Sequence, residues 1–278
     1  FWAHDSDYRS AHEGNLGDST DLFDGDRFTE LSILTNPAMP VGLSITSIRR
    51  RGTQMVAGFN VDDRRRFGAL AADAIWEDEV EVVGDFSIPA GVRLVIEPGT
   101  AVRFGPDSTS GGQDPQRAGL TVVGELSVGA IGSRSVRFAS AAAEPQPGDW
   151  LGIFLHPRGS VDLHNVVIEH AVYGLASRGV RLPQRLQQVQ VHGVAGFGVD
   201  LQGVTGTVDL DGVEVVAADS GGVRLSGPGV VRMRDVRIVA SGGSGIERTG
   251  GRLELSDSEL LDNGVTKETA ANLVLGAG

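Results

Sequence analysis

The chain has no cysteine among its 278 residues. That excludes disulfide staples, thiol nucleophiles and thiolate metal sites. Lysine is nearly absent as well, with Lys267 standing alone among 24 basic residues, which an arginine-biased composition accounts for. Aromatic residues make up only 5%. From residue 151 onward they are Phe154, Tyr173 and Phe197, few for a cleft that stacks sugar rings. No apolar run reaches the ~18 residues of a membrane-spanning helix. Positive charge is in deficit, and the net charge of −12 argues against nucleic acid as a partner. Long stretches of Ala, Leu, Glu and Lys, which helical repeats need, are missing. So are a Gly-x-Ser-x-Gly elbow and a phosphate-binding loop. The run Ser241-Gly-Gly-Ser-Gly245 reads as a turn, because no strand-to-helix transition follows it.

What is present is a repeat. Five phrases recur: Leu163-His-Asn-Val166-Val-Ile168, Leu186-Gln-Gln-Val189-Gln-Val191, Leu210-Asp-Gly-Val213-Glu-Val215, Met233-Arg-Asp-Val236-Arg-Ile238 and Leu255-Ser-Asp-Ser258-Glu-Leu260. Their fourth positions are 23, 24, 23 and 22 residues apart. A second marker, Gly174-Leu175, Gly198-Val199, Gly222-Val223 and Gly245-Ile246, keeps step with them. Two markers locked to one period indicate a solenoid. Apolar residues fill positions one, four and six of each phrase, except at Ser258, and the last two are spaced as in a strand. Val, Ile and Leu dominate, and Gly, Asp and Ser flank them, which is strand-and-turn chemistry. One turn of about 23 residues cannot bury its own apolar side, but turns stacked ~4.8 Å apart can. The predicted fold is all-β: a parallel β-helix of about seven coils, right-handed by the general rule for parallel crossovers. Forty glycines suit its many tight turns.

These copies resemble the repeats of pectate-lyase-like parallel β-helix proteins. Upstream, Ile88-Pro-Ala-Gly-Val-Arg-Leu-Val-Ile-Glu-Pro-Gly99-Thr-Ala-Val-Arg-Phe104 looks like the first coil of such secreted proteins, and Gly119 to Leu126, Val136 to Phe138 and Gly148 to Ile153 continue the pattern. The resemblance spans residues 77–278, taken as the solenoid. It implies a fold but no single function, because the fold hosts lyases, hydrolases, adhesins and inert scaffolds.

Residues 1–76 form an N-terminal extension. Its first 30 residues carry eight carboxylates against Arg9 and Arg27. Val41 to Ile48 and Thr53 to Val61 alternate as strands around Arg51-Gly52, so a β-hairpin is expected, placed to cap the solenoid. Gly17-Asp-Ser-Thr-Asp-Leu-Phe-Asp-Gly25, Phe28-Thr, Thr35-Asn-Pro37 and Gly42-Leu-Ser-Ile-Thr-Ser-Ile48 resemble the C-terminal edge of secreted zinc metallopeptidases of the immune-inhibitor-A type. That family's centre needs His-Glu-x-x-His. Here His12-Glu13 is followed by Gly14-Asn15-Leu16, without the second histidine. The resemblance implies a bacterial, extracytoplasmic chain, periplasmic or secreted, processed from a peptidase-like precursor. Asp18, Asp21, Asp24 and Asp26 offer hard oxygen ligands, so a candidate calcium site stands beside the plainer reading of a solvated acidic surface. No other cofactor is expected.

Stacking the phrases also predicts what faces outward. Asp209, Arg232 and Glu254 align, as do Asp211 with Arg234, and Glu214 with Arg237 and Glu259. Such alternating charges neutralise one another. A lyase or hydrolase would need clustered or facing carboxylates instead. His164, His170 and His192 fall at different coil positions and form no ladder. At the C-terminus, Thr266 to Ala271 is read as one helical turn and Asn272 to Leu275 as a last strand. The expected function is non-catalytic: an accessory subunit docked on a larger, membrane-associated assembly through its polar N-terminal extension. Two alternatives stand beside it. One is a carbohydrate-active β-helix with its site on the face carrying Asp200, Asp209, Asp211, Arg232 and Arg234. The other is a surface adhesin.

Overall fold

The phrase Leu-x-x-Val-x-Val owes its form to a bend at its third residue. Asn165, Gln188, Gly212, Asp235 and Asp257 all take left-handed backbone angles, with φ between 52° and 63°. Each turns the chain from one strand into the next, so the residue two before the bend, the one directly after it and the one two further on all point inward, as Leu163, Val166 and Ile168 do. Asn, Asp and Gly accept this conformation with least strain. A second left-handed corner follows at His170, Gly193, Ala217, Ala240 and Asp262, again once per coil.

A computed structural model of the chain describes residues 30–33, 42–51, 54–62, 65–106, 114, 116–181, 183–264 and 271–276, with side chains from residue 65 onward. Two units result: Phe1–Asn36 with Val41–Asp63, and Pro37–Pro40 with Arg64–Gly278. The first contains a three-stranded antiparallel sheet of β1 (Glu30–Ile33), β2 (Gly42–Arg51) and β3 (Gln54–Asp62). The expected hairpin is β2 with β3, joined across two residues where Arg51 faces Gln54. Strand β1, which pairs with β2, adds to that expectation.

The second unit is a right-handed parallel β-helix with three faces. It opens with β4 (Arg65–Ala69), which pairs in parallel with β6 (Glu79–Ile88). The first face stacks β5 (Ala74–Trp76), β7 (Arg93–Ile96), β10 (Glu125–Val128), the first halves of β13 (Ser160–Glu169) and β15 (Gln184–Val194), then β17 (Thr207–Asp211), β20 (Val230–Arg234) and β23 (Arg252–Ser256). The second runs from β6 through β8 (Ala101–Phe104), β11 (Val136–Ser140), the second halves of β13 and β15, β18 (Glu214–Ala218) and β21 (Arg237–Val239) to β24 (Glu259–Leu261). The third runs from the end of β6 through β9 (Leu120–Val122), β12 (Ile153–Leu155), β14 (Leu175–Ser177), β16 (Phe197–Leu201), β19 (Gly221–Ser226) and β22 (Ile246–Thr249) to β25 (Leu273–Gly276). Among the described residues, eight complete coils result. The coil added to the seven expected is Ala74 to Ile88, so the solenoid starts near Arg65 rather than at residue 77. Strand β25 matches the expected last strand. The helical turn expected at 266–271 falls almost wholly outside the described residues.

Inside, the ladders are apolar. Phrase positions one, four and six are buried in the first four copies, as Leu163, Val166 and Ile168 illustrate. The core changes character along its length. Trp76, Phe86, Phe104, Phe138 and Trp150 fill the N-terminal coils, with Phe104 and Trp150 stacked at 3.8 Å between ring centroids. From residue 151 the core cluster is Val, Leu and Ile, with Ala171, Ala218 and Met233. The second sequence marker has a packing cause. A Cβ on Gly174, Gly198 or Gly222 would strike both a Val or Ile side chain of the second face and the glycine carbonyl of the next coil. Only glycine lets the coils close there.

Candidate functional site

In-register stacking decides what the outward side chains can do. Asp209, Arg232 and Glu254 occupy one column of the first face, with Arg232 Nη1 3.3 Å from Asp209 Oδ1 and its Nε 3.2 Å from Glu254 Oε2. Arg252 reaches the other oxygen of Glu254 at 2.9 Å. Arg234 grips both oxygens of Asp211. That hydrogen bonding, with the arginine charge, holds Asp211 below the usual carboxylate range. On the second face Arg237 lies 2.6 Å from Glu214 and 3.6 Å from Glu259. All three predicted ladders therefore form. The first-face pairs border a cleft of about 550 Å³ that also includes Arg185 and Gln187.

Asp200 does not belong with them. It lies on the third face, in register with Arg224, away from the first-face Asp209 and Asp211. The grouping of these three aspartates on one face is therefore corrected: alternation along β16 sends Asp200 outward from a different side of the coil. Its side chain is only 1% exposed. Arg224 donates to both carboxylate oxygens, from Nε at 2.9 Å and Nη2 at 2.6 Å. Gln202 Nε2 donates at 3.0 Å, and Arg178 stands at 3.5 Å. Burial pushes the Asp200 pKa up, but the hydrogen bonds from Arg224 and Gln202 and the charges of Arg224 and Arg178 outweigh it. The net position is below the ordinary aspartate value. The Arg224 guanidinium also covers the Phe197 ring at 4.1 Å, which places Phe197 under an ion pair. The signal was available in sequence: Asp200, Arg224 and Glu247 each follow the second marker by one residue.

The other flagged residues separate. Tyr173 lines a third-face cleft of about 350 Å³ with Phe154, Leu151, Asp85 and Arg178. His164 Nε2 lies 2.9 Å from Asp162 Oδ1, and His192 Nδ1 lies 3.9 Å from Glu169 Oε1. His170 occupies a left-handed corner. Among the described residues, no group of three or more His, Asp or Glu could hold a metal ion. Asp18, Asp21, Asp24 and Asp26 lie outside the described residues. No described helix is long and apolar enough to cross a membrane.

One charged residue points the wrong way. Arg248 occupies the inward third-face column in which Ser177, Leu201, Leu225 and Leu275 also stand, and it is 3% exposed. Its Nη2 donates to the carbonyls of Gly227 and Gly229, both at 3.0 Å. Nε and Nη1 are buried without partners. Sequence reasoning took no notice of it.

No protein-family model, no curated protein and no solved structure matches the chain.

Proposed function

We propose that this chain is a non-catalytic extracytoplasmic structural or interaction module, an accessory subunit docked on a larger, membrane-associated assembly. The observation that carries this reading is the pairing of outward carboxylates with arginines of adjacent coils. Acid–base cleavage of a glycosidic bond needs two carboxylates with separated pKa values and room for substrate between them. Asp209, Asp211, Glu214, Glu254 and Glu259 are instead bound to Arg232, Arg234, Arg237 or Arg252. Arg234 holds Asp211 below the usual carboxylate range, which makes that carboxylate a weaker base than a free one. Neutralised ladders on a rigid rod suit a scaffold. The Gly17 to Gly25 and Gly42 to Ile48 motifs support processing from a peptidase-like precursor, with the polar first 40 residues as the docking segment.

The test is native purification from membrane and soluble fractions, followed by mass spectrometry of what travels with the chain. A large particle at fixed stoichiometry supports the reading, and a lone soluble monomer refutes docking. One observation favours the carbohydrate-active alternative: Tyr173 and Phe154 share a cleft with Asp85 and Arg178, an arrangement of rings and charges that suits a sugar. Incubation with acidic polysaccharides and chromatography of the products tests it.

A further inference from the structure

The Arg248 guanidinium is a permanent cation in an inward column between Leu225 and Leu275. Burial lowers its pKa, but arginine does not give up its proton in proteins. A buried charge needs compensation, and breaking or omitting its partner is costly. Elsewhere on the rod the protein supplies that partner, as Arg224, Arg232, Arg234 and Arg237 each show. For Arg248 it supplies only two carbonyls, and no described carboxylate lies within ion-pair distance.

The surroundings are shaped around this group. Gly250 and Gly251 turn the corner beside it with φ of 72° and 66°, and a Cβ on Gly251 would overlap Nη2. A cleft of about 750 Å³ adjoins it, lined by Arg248 with Ser226, Pro228, Thr249, Leu253 and Leu275 among others. Among the described residues, no acid and no second cation lines it. Leu275 on its wall is 65% exposed. One cation in an apolar setting matches a single carboxylate. A phosphate dianion would want further donors or charge.

We infer that this corner is a carboxylate-binding site in which Arg248 makes the charged contact, filled by an acidic side chain of the protein on which the subunit docks. This inference rests on the docked-subunit reading. The buried cation and apolar walls together specify an Asp or Glu flanked by apolar residues.

Nitrogen-15 spectra of arginine Nε–H groups in the full chain test it. Arg248→Met identifies the signal, and Arg248→Lys retains a charge without the two-carbonyl bridge. The probes are an acetyl-Val-Leu-Glu-Leu-Val amide, the same peptide with Gln for Glu, and sodium acetate against sodium chloride at equal ionic strength. The Arg248 signal is expected to shift saturably with the Glu peptide, at least tenfold more tightly than with the Gln peptide or acetate. No shift with any probe, or equal shifts with both peptides, overturns the site. Acetate binding as tightly as the peptide assigns the site to free small carboxylates and overturns the partner.

Co-purification with Arg248→Met separates this inference from the reading beneath it. An assembly that wild type holds and the variant loses supports both. An assembly held equally by both removes Arg248 from docking while the subunit reading stands. If wild type holds none, the subunit reading fails and the partner assignment fails with it.

Discussion

Asp200→Asn removes one charge at the most enclosed ion pair described and leaves its volume almost unchanged. The carboxylate is 1% exposed and accepts from Arg224 twice, at 2.9 and 2.6 Å, and from Gln202 at 3.0 Å. Breaking a fully buried pair costs about 3–5 kcal/mol. Arg224 retains 33% side-chain exposure, so the stranded guanidinium recovers part of its hydration. A loss of about 2–3 kcal/mol follows, in line with the ~1.5–3 kcal/mol of hydrogen bonds to charged groups. Guanidinium unfolding followed by fluorescence of buried Trp76 and Trp150 measures it. Arg224→Met should cost a similar amount, and the double variant less than the sum, because the two changes remove one interaction. The folded pKa of Asp200 lies below its unfolded value of ~3.9. Its contribution is therefore complete above that value and is lost as pH falls through the folded pKa. The gap between wild type and Asp200→Asn should be widest at neutral pH and close in acid. A loss below ~0.5 kcal/mol at pH 7, or a gap that widens in acid, would refute the reasoning.

Three further changes test other parts of the rod. Arg248→Met should raise unfolding stability by about 1–3 kcal/mol, since it replaces an unpaired buried cation with an apolar chain of similar length; Gly229 O keeps a bond from Arg252 N. A melting temperature below wild type would contradict this. Gly152→Ala should cost about 3 kcal/mol or more, or prevent folding, because φ is 107° and the new methyl would overlap the Tyr173 carbonyl. Arg232→Ala should cost no more than ~1 kcal/mol, with the difference shrinking in 1 M salt, because Arg232, Asp209 and Glu254 are each more than a third exposed. Denaturant midpoints at two ionic strengths decide that case.

The solenoid was legible because its period survives in the residues that matter mechanically. A left-handed corner asks for Asn, Gly or Asp at one position, and the inward residues on either side must be apolar. Coil-to-coil contact adds a glycine at the second marker. Where these demands lapse, so does the pattern. Arg65 and Arg66 pair with Glu81 and Val82, but the register then shifts before Gly68 meets Phe86. That irregularity, with the Ala-rich stretch after it, hid β4 and the coil from Ala74 to Ile88. Strand β1 is only four residues long. The charge ladders were legible for the same reason as the fold: equal phrase positions stack. Asp200 was misplaced because charge type was used to group it when its distance from the second marker was the informative quantity. Arg248 was passed over because Ile246-Glu-Arg-Thr reads locally as a polar strand. Only its offset of two from Ile246, where Leu201 and Leu225 follow Val199 and Val223, reveals that it faces inward.

Other polar residues stand in inward columns, and their treatment makes Arg248 informative. Gln184 replaces an aliphatic residue between Val161 and Val208; its Oε1 accepts from Val161 N at 2.7 Å, and its Nε2 lies 3.3 Å from Gly159 O. Ser177 exchanges hydrogen bonds with the backbone of Gly179. Ser140 donates to Asp149 at 2.6 Å. Ser258, the break in the fifth phrase, accepts from Val236 N and donates to Ser256 O. Each intrusion is answered by a nearby group, as buried polar atoms generally are. At these four positions the solenoid supplies the partners itself, whereas Ser241 Oγ is buried without one. At Arg248 the solenoid supplies partners for Nη2 and leaves Nε and Nη1 buried without any, and among the described residues the cleft that Arg248 lines holds no acid. A leucine there would continue the column at no electrostatic cost, as Leu225 does one coil earlier. Keeping a cation in its place is disadvantageous to the isolated rod and becomes favourable once a carboxylate arrives from outside it.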